Sequence, residues 1–147
     1  MSEFIKKIKA IPDLLYGKGG SREQLENAQS TLGLIFPEEF AEYVLEFGFI
    51  SFDGAEWTGL GWHNNGAEIV KESNTVTRTL MEREVNPDFP SNMLVLEDLG
   101  YDAEIVAVNE AGKVFYIAYD ACEEAFDSLS DYLDECLRQS LNSEEDE

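Results

Sequence analysis

The segment Leu32–Gly61, LGLIFPEEFAEYVLEFGFISFDGAEWTGLG, contains the most informative pattern in the sequence. Pro37 can open a helix there, because its fixed φ suits the first turn and its missing N–H is not needed at that position. Apolar residues then recur at helical spacing until Gly48 ends the run: Phe40, Tyr43, Val44 and Phe47. We predict a strand from Phe49 to Phe52, and Trp57–Trp62 is expected to be either its partner or a tight loop.

Two helices are predicted before this segment. The first has four apolar residues on one face and ends at a proline: Phe4, Ile5, Ile8 and Ile11. The glycine-rich stretch Tyr16–Gly20 is expected to be a flexible joint. The second helix begins with a capping box, in which Ser21 and Gln24 satisfy each other's backbone N–H groups. Ile35, which follows this helix, is expected to pack on Phe40 as a hydrophobic staple.

The second half of the chain is predicted to contain a helix and then a run of strands. The helix spans Gly66 to Glu84, and five residues form its predicted inner face: Ile69, Val70, Val76, Leu80 and Met81. Three strands follow, at Met93–Leu96, Glu104–Val108 and Lys113–Tyr119. The last two flank Asn109–Gly112, a four-residue turn that ends in glycine, so they are expected to form a β-hairpin.

A final helix has the clearest periodicity in the sequence. Asp127 or Ser128 caps it, and its apolar face comprises Leu129, Tyr132, Leu133, Cys136, Leu137 and Leu141. Helices at the start, middle and end of the chain would therefore pack around a central, mostly antiparallel sheet. The predicted fold class is α+β, in a single domain over residues 1–142 with an acidic tail at 143–147.

Size and composition limit the class of protein. At 147 residues with 44% hydrophobic content, the chain can bury a core and is not disordered. The amphipathic start lacks a continuous apolar stretch and a small-residue cleavage site, so a cytoplasmic location is expected. Cys122 and Cys136 have no CxxC spacing, and they are expected to be reduced.

The charge limits the kind of partner. Ten Lys and Arg against 31 Asp and Glu give a net charge of −21, which disfavours direct contact with nucleic acid or an anionic membrane. One interpretation is that the acidic surface only keeps the protein soluble. The other is that the surface attracts a basic protein, because opposite charges steer association.

The sequence lacks the residues and motifs that common catalytic sites need. His63 is the one histidine, which excludes sites built on several imidazoles. Gly17–Gly20 lacks the preceding strand and the terminal Gly-Lys-Ser/Thr of a phosphate-binding loop. The acidic stretches do not have the spacing of an EF-hand. We therefore predict a protein without enzymatic activity, cofactor or metal.

The order of these elements resembles that of the SUKH superfamily. The resemblance rests on LGLIFPEEFAEYVLEFG, the Trp/Gly segment, the long helix, MLVLED, the hairpin and FDSLSDYLDECL, and it covers about Ser21 to Leu141. This superfamily contains yeast cell-wall synthesis regulators and many bacterial immunity proteins encoded beside toxins. The resemblance therefore implies a domain that binds other proteins.

Two loop regions are the candidate contact surface, because binding residues concentrate in loops. Tryptophan beside carboxylates suits a basic partner, although tryptophans also commonly cover a sheet edge. An acidic turn between strands can be a solvated loop or an anionic rim. The candidate residues are Asp53, Glu56, Trp57 and Trp62 in the first region, and Glu97, Asp98, Tyr101, Asp102 and Glu104 in the second.

The sequence favours a non-enzymatic immunity protein that binds and neutralises a cognate toxin in the cytosol. The expected partner is a basic protein, a toxin domain such as a nuclease, and the protein itself is expected to be a monomer or a weak dimer. The alternative is a regulatory or scaffolding module of the cell-wall-regulator type with no toxin partner.

Overall fold

A computed structural model describes residues 2–100, 104–118 and 121–145, with side chains described up to residue 139. The α-helices in this part of the chain are α1 (Glu3–Lys9), α2 (Arg22–Leu32), α3 (Glu38–Phe47), α4 (Thr75–Val85) and α5 (Leu129–Glu145). The strands are β1 (Leu15–Tyr16), β2 (Ile50–Phe52), β3 (Ala55–Trp57), β4 (Met93–Asp98), β5 (Ile105–Asn109), β6 (Val114–Ala118) and β7 (Ala121–Phe126). The α+β class is confirmed.

The strands form two antiparallel sheets. A three-stranded sheet has the order β1-β2-β3, and a four-stranded sheet has the order β4-β5-β6-β7. The predicted β5–β6 hairpin is confirmed, and Gly112 takes φ +88° in its turn. The sequence reasoning missed β7 because its residues, ACEEAF, are mostly exposed at the sheet edge and show no buried alternation.

Two predictions for the residues in and around the small sheet differ from the structure. The partner of β2 is Ala55–Trp57 rather than Trp57–Trp62, and the connecting turn is Asp53-Gly54, with positive φ at both residues. Tyr16–Gly20 is not a loose joint, because the backbone N–H groups of Gly17, Lys18 and Gly20 donate to three different carbonyls elsewhere in the chain.

The main core lies between one face of the four-stranded sheet and helices α1, α2, α3 and α5. Leu129 and Leu133 of α5 are fully buried and Leu137 is partly buried, as the periodicity predicted. A smaller cluster around Phe89 and Val95 covers the other sheet face. Helix α5 continues through Glu145, so residues 143–145 of the predicted acidic tail are helical, while 146–147 lie outside the described residues.

Helix α3 begins near Pro37 as expected, but its aromatic contact differs from the predicted one. The ring of Phe36 lies 5.1 Å from that of Phe40. Ile35 is instead 64% exposed, and its N–H donates to a carboxylate oxygen of Glu110. The predicted Ile35–Phe40 staple is therefore wrong, because the bend after α2 turns Phe36 inward.

Helix α4 also differs from the prediction, in both its start and its inner face. It begins at Thr75 rather than Gly66, and Asn74 caps it. The residues it buries are polar, namely Thr75, Arg78, Thr79 and Glu82. Ile69 is buried and Val76 partly buried, whereas Val70, Leu80 and Met81 are exposed.

The polar face of α4 is explained by the backbone groups it meets at the edge of β4. The Val95 N–H donates to the hydroxyl oxygen of Thr79, and the Val95 carbonyl accepts a hydrogen bond from the hydroxyl of Thr58. Thr58 and Thr75 are also hydrogen bonded to each other, at 2.9 Å. Buried backbone groups without partners are costly, so threonines are better suited to this face than leucines.

Candidate protein-binding surface

The outer face of the small sheet carries part of the first predicted region. Leu15 lies opposite Ser51, and Ser51 lies opposite Glu56, so the three side chains share one face. Leu15 is 65% exposed and Glu56 is exposed. Asp53 lies exposed in the adjoining turn. An exposed leucine and two carboxylates thus lie on one short, hydrogen-bonded scaffold, with Ser51 between Leu15 and Glu56.

Trp62 lies at the opposite end of the same sheet. Its backbone forms a bridge with Lys18, and its side chain is 36% exposed. A Cβ atom on Gly17 would lie 2.8 Å from the ring of Phe49, so only glycine permits this close approach. The ring of Phe49 in turn contacts that of His63, with centroids 5.0 Å apart. We use the name small-sheet surface for four exposed residues at the two ends of this sheet: Leu15, Asp53, Glu56 and Trp62.

The carboxylates of the small-sheet surface are not neutralised within the part of the chain that the structure describes. The ion pairs found there engage seven acids: Glu3, Glu46, Glu82, Asp98, Glu124, Asp134 and Glu135. Neither Asp53 nor Glu56 is among them. Their negative charge is therefore available to an incoming cation.

Trp57 lies inside the molecule rather than on this surface. It is 0% exposed, and its ring stacks at 6.0 Å on Tyr132 and contacts Tyr43 edge-on at 5.5 Å. The strand alternation explains this, because Trp57 lies opposite the buried Ile50 and points inward, whereas Glu56 points outward. A direct contact of Trp57 with a partner does not fit this burial, and covering the sheet is its role in the fold.

Glu97 is also buried, as part of a polar cluster next to Trp57. It is 6% exposed, and the Tyr132 hydroxyl donates a 2.6 Å hydrogen bond to its carboxylate. The indole N–H of Trp57 forms no hydrogen bond of ordinary geometry. Its interaction with the Glu97 carboxylate nevertheless lowers the pKa of Glu97. Burial outweighs both contacts and raises the pKa of Glu97.

A β-bulge is the reason why Glu97 points inward. The register of β4 against β5 shifts between Val95 and Glu97, so an extra residue, Leu96, enters the strand. Leu96 and Glu97 then both face the main core. Without the bulge, simple alternation would place Glu97 on the same face as Val95. A contact of Glu97 with a partner therefore does not fit its position.

The buried cluster predicts a pH dependence of stability. The pKa of Glu97 is higher in the folded than in the unfolded chain. The contribution of Glu97 to the free energy of unfolding is therefore most favourable below the usual pKa of a glutamate, and it is lost as pH rises through the raised pKa. Glu97→Gln is expected to remove this loss, since an amide oxygen can still accept from Tyr132. Urea unfolding of both proteins from pH 4, below the usual pKa of a glutamate, to pH 8 measures the difference.

Glu56→Gln is the matched control, because Glu56 is exposed on the neighbouring strand. The free energy of unfolding of this variant should vary with pH as that of the parent protein does. If Glu97→Gln follows the parent curve as closely as the control does, the buried carboxyl does not titrate with folding.

Of the other members of the second predicted region, the structure describes Asp98, which is exposed, and Glu104. Asp98 is bonded at 3.1 Å to Arg78 of α4, and Arg78 also binds Glu82 at 3.0 Å. Glu104 is partly buried, and its carbonyl accepts from the Leu99 N–H. Tyr101 and Asp102 lie outside the described residues. Asp98 is therefore already engaged by a cation from the same chain.

Sequence reasoning missed Leu15 as a surface residue. Its apolar side chain and that of Tyr16, which is 49% exposed, gave no sign of exposure in the sequence. The signal that could have located them is Asp53-Gly54, a dipeptide typical of two-residue hairpins. A hairpin with its turn at Asp53-Gly54 fixes which residues of β2 and β3 face outward.

Within the described residues, no three His, Cys, Asp or Glu side chains come together as metal ligands would. Burial raises the pKa of Cys136 to about 12, so its thiol is protonated at neutral pH. None of the helices in the described part of the chain is long and apolar enough to cross a membrane.

Comparison with known proteins identifies the family. The model of the SUKH_5 family, described as SMI1-KNR4 cell-wall, matches residues 1–138. The chain belongs to this family. The SUKH resemblance found in the sequence is thereby confirmed, and SUKH domains are in general non-catalytic. The search of curated proteins found no match.

Proposed function

We propose that this SUKH domain is an immunity protein that binds a basic toxin domain in the cytosol and thereby neutralises it. The observation that carries the proposal is the small-sheet surface. The exposed side chain of Leu15 and the carboxylates of Asp53 and Glu56, which form no ion pair among the described residues, lie on the same small sheet and its turn. Apolar anchors inside a charged margin are typical of protein interfaces, in which buried anchors supply affinity and charges steer the approach.

The charge of the whole chain supports a basic partner. Ten Lys and Arg cannot neutralise 31 Asp and Glu, and the ion pairs among the described residues engage seven of these acids. Association with a basic domain would relieve part of this repulsion. The association rate is expected to reach the order of 10⁷–10⁹ M⁻¹s⁻¹ at low salt and to fall steeply as salt rises.

The test is co-expression with the toxin domains encoded beside this gene, scored by cell survival and followed by binding kinetics. Trp62→Ala is expected to speed dissociation by about 30-fold, equivalent to ~2 kcal/mol, because it removes an aromatic anchor. The double variant Asp53→Lys, Glu56→Lys is expected mainly to slow association, and this effect should shrink at high salt.

Two matched variants serve as controls. Glu26→Lys changes the charge of an exposed residue on α2, and Ile35→Ala truncates an exposed apolar side chain away from the small sheet. Both should bind as the parent protein does. If a toxin is neutralised but the controls weaken binding as much as the test variants, the binding surface is elsewhere.

The second candidate is a regulatory or scaffolding module, which is favoured by the family's cell-wall description. It shares the prediction of a protein partner but not that of toxin neutralisation. If no neighbouring toxin is neutralised and a host protein instead binds with the same dependence on Trp62, the regulatory function replaces the immunity function.

A further inference from the structure

Helix α4 presents an apolar stripe to solvent. Leu80 and Met81 are each 42% exposed and Val85 is 75% exposed. With Thr77 and Glu84, which are also exposed, they follow the i, i+3, i+4, i+7, i+8 spacing that normally faces a core. The helix is thus amphipathic in the inverted sense, with its polar face buried and an apolar face outside.

The buried face of α4 is already fully used. Thr79 accepts the Val95 N–H at the edge of β4, Thr75 is hydrogen bonded to Thr58, and Arg78 binds Glu82 and Asp98. Rotating the helix to bury the leucine and methionine would break these bonds and leave backbone groups of β4 without partners. The apolar stripe is therefore fixed on the outside, where an exposed apolar patch commonly marks an interaction site.

The charge around the stripe differs from that of the rest of the chain. At the surface, residues 70–85 contribute Lys71 and Arg83 against Glu72 and Glu84. Arg78 and Glu82 are buried, and Arg78 pairs with Glu82 and Asp98. The segment is thus neutral within a chain of −21. A basic partner would not be steered here, whereas two copies of this acidic chain would repel each other least where their surfaces are neutral.

We infer that the stripe is a contact between two copies of this chain. Antiparallel packing of α4 on its symmetry mate would bring each stripe against an identical one, with Met81 at the centre, as a two-fold interface requires. A single short helix covers less area than stable dimers bury, and the remaining negative charge opposes association. The dimer is therefore weak, and it strengthens as salt rises, in contrast to binding of a basic partner.

Sedimentation equilibrium over a range of protein concentrations tests the inference at two ionic strengths. We expect reversible dimerisation that is stronger at 1 M salt than at 0.1 M, where screening lengths are about 3 and 10 Å. Met81→Asp should weaken it by about tenfold or more, because a charge would be buried in the contact. Ile35→Asp, a matched change at another exposed apolar residue, should leave it unchanged.

Cross-linking checks the symmetry of the contact. Met81→Cys in a Cys122→Ser background should form a covalent dimer under mild oxidation, whereas Ile35→Cys in the same background should not. Cys136 is partly buried with a raised pKa, so it should not react. A chain that stays monomeric at both salt concentrations, or a dimer that survives Met81→Asp, overturns the inference. Urea unfolding verifies that Met81→Asp is folded.

Discussion

Replacing Leu133 with alanine is expected to lower the free energy of unfolding by about 2–5 kcal/mol, the range for a buried leucine. Leu133 is 0% exposed and belongs to the main core, where α5 packs against the sheet. Truncation removes its apolar contacts and leaves a cavity that rigid neighbours on α3 and the sheet can only partly fill. Urea unfolding followed by circular dichroism measures the change.

Leu80→Ala is the matched control, since it makes the same substitution in a helix at a side chain that is 42% exposed. At low protein concentration its effect should stay within about 0.5 kcal/mol, as for most surface changes. Equal effects of the two substitutions would mean that α5 does not hold the core as described.

The parts of the fold that could be predicted are those whose cause is local. The capping box of Ser21 and Gln24 is present, because it needs residues only three apart. The apolar face of α5 and the turn ending at Gly112 also depend on short-range spacing. The sequence predicts such features because neighbouring residues alone decide which side chains share a face.

Helix α4 was mispredicted because its environment is set by distant residues. Its inner face meets the hydroxyl group of Thr58, which follows β3, and the backbone N–H of Val95 in β4. Periodicity identifies apolar faces and assumes that they point inward. Here the backbone groups at the edge of β4 need polar partners, so the polar face of α4 points inward. The sequence alone does not show which groups this helix will meet.

The candidate surface was only partly predictable for the same reason. Trp57 and Trp62 have similar sequence surroundings, yet alternation in β3 buries the first, while the second lies outside the named strands and is 36% exposed. Glu97 resembles any acid at the end of a strand, but the bulge in β4 turns it inward. Asp53 and Glu56 are exposed because their hairpin is short, and its Asp-Gly turn was visible in the sequence.

Gly59→Ala is expected to lower the free energy of unfolding by about 3 kcal/mol or more, at or above the upper end of the usual range for overpacking. A Cβ atom at Gly59 would overlap the carbonyl oxygen of Gly48 and lie 2.7 Å from its carbonyl carbon. Both clashes involve backbone, so no side-chain rotation can relieve them. The chain would have to separate at this crossing, which urea unfolding would report.

Gly54→Ala is the control, because its Cβ would meet nothing within 4 Å and only its φ of +85° opposes a side chain. That strain is expected to cost about 1–2 kcal/mol. If Gly59→Ala costs no more than Gly54→Ala, the backbone crossing is looser than its geometry implies.

The crossing at Gly59 also connects stability to the small-sheet surface. The Leu60 N–H donates to the Gly48 carbonyl, and two residues later Trp62 forms its bridge with Lys18. Separating Gly59 from Gly48 should therefore displace Trp62 as well as destabilise the fold. Gly59→Ala protein that remains folded should bind a partner as weakly as Trp62→Ala does, whereas Leu133→Ala protein should bind normally, because it alters only the core.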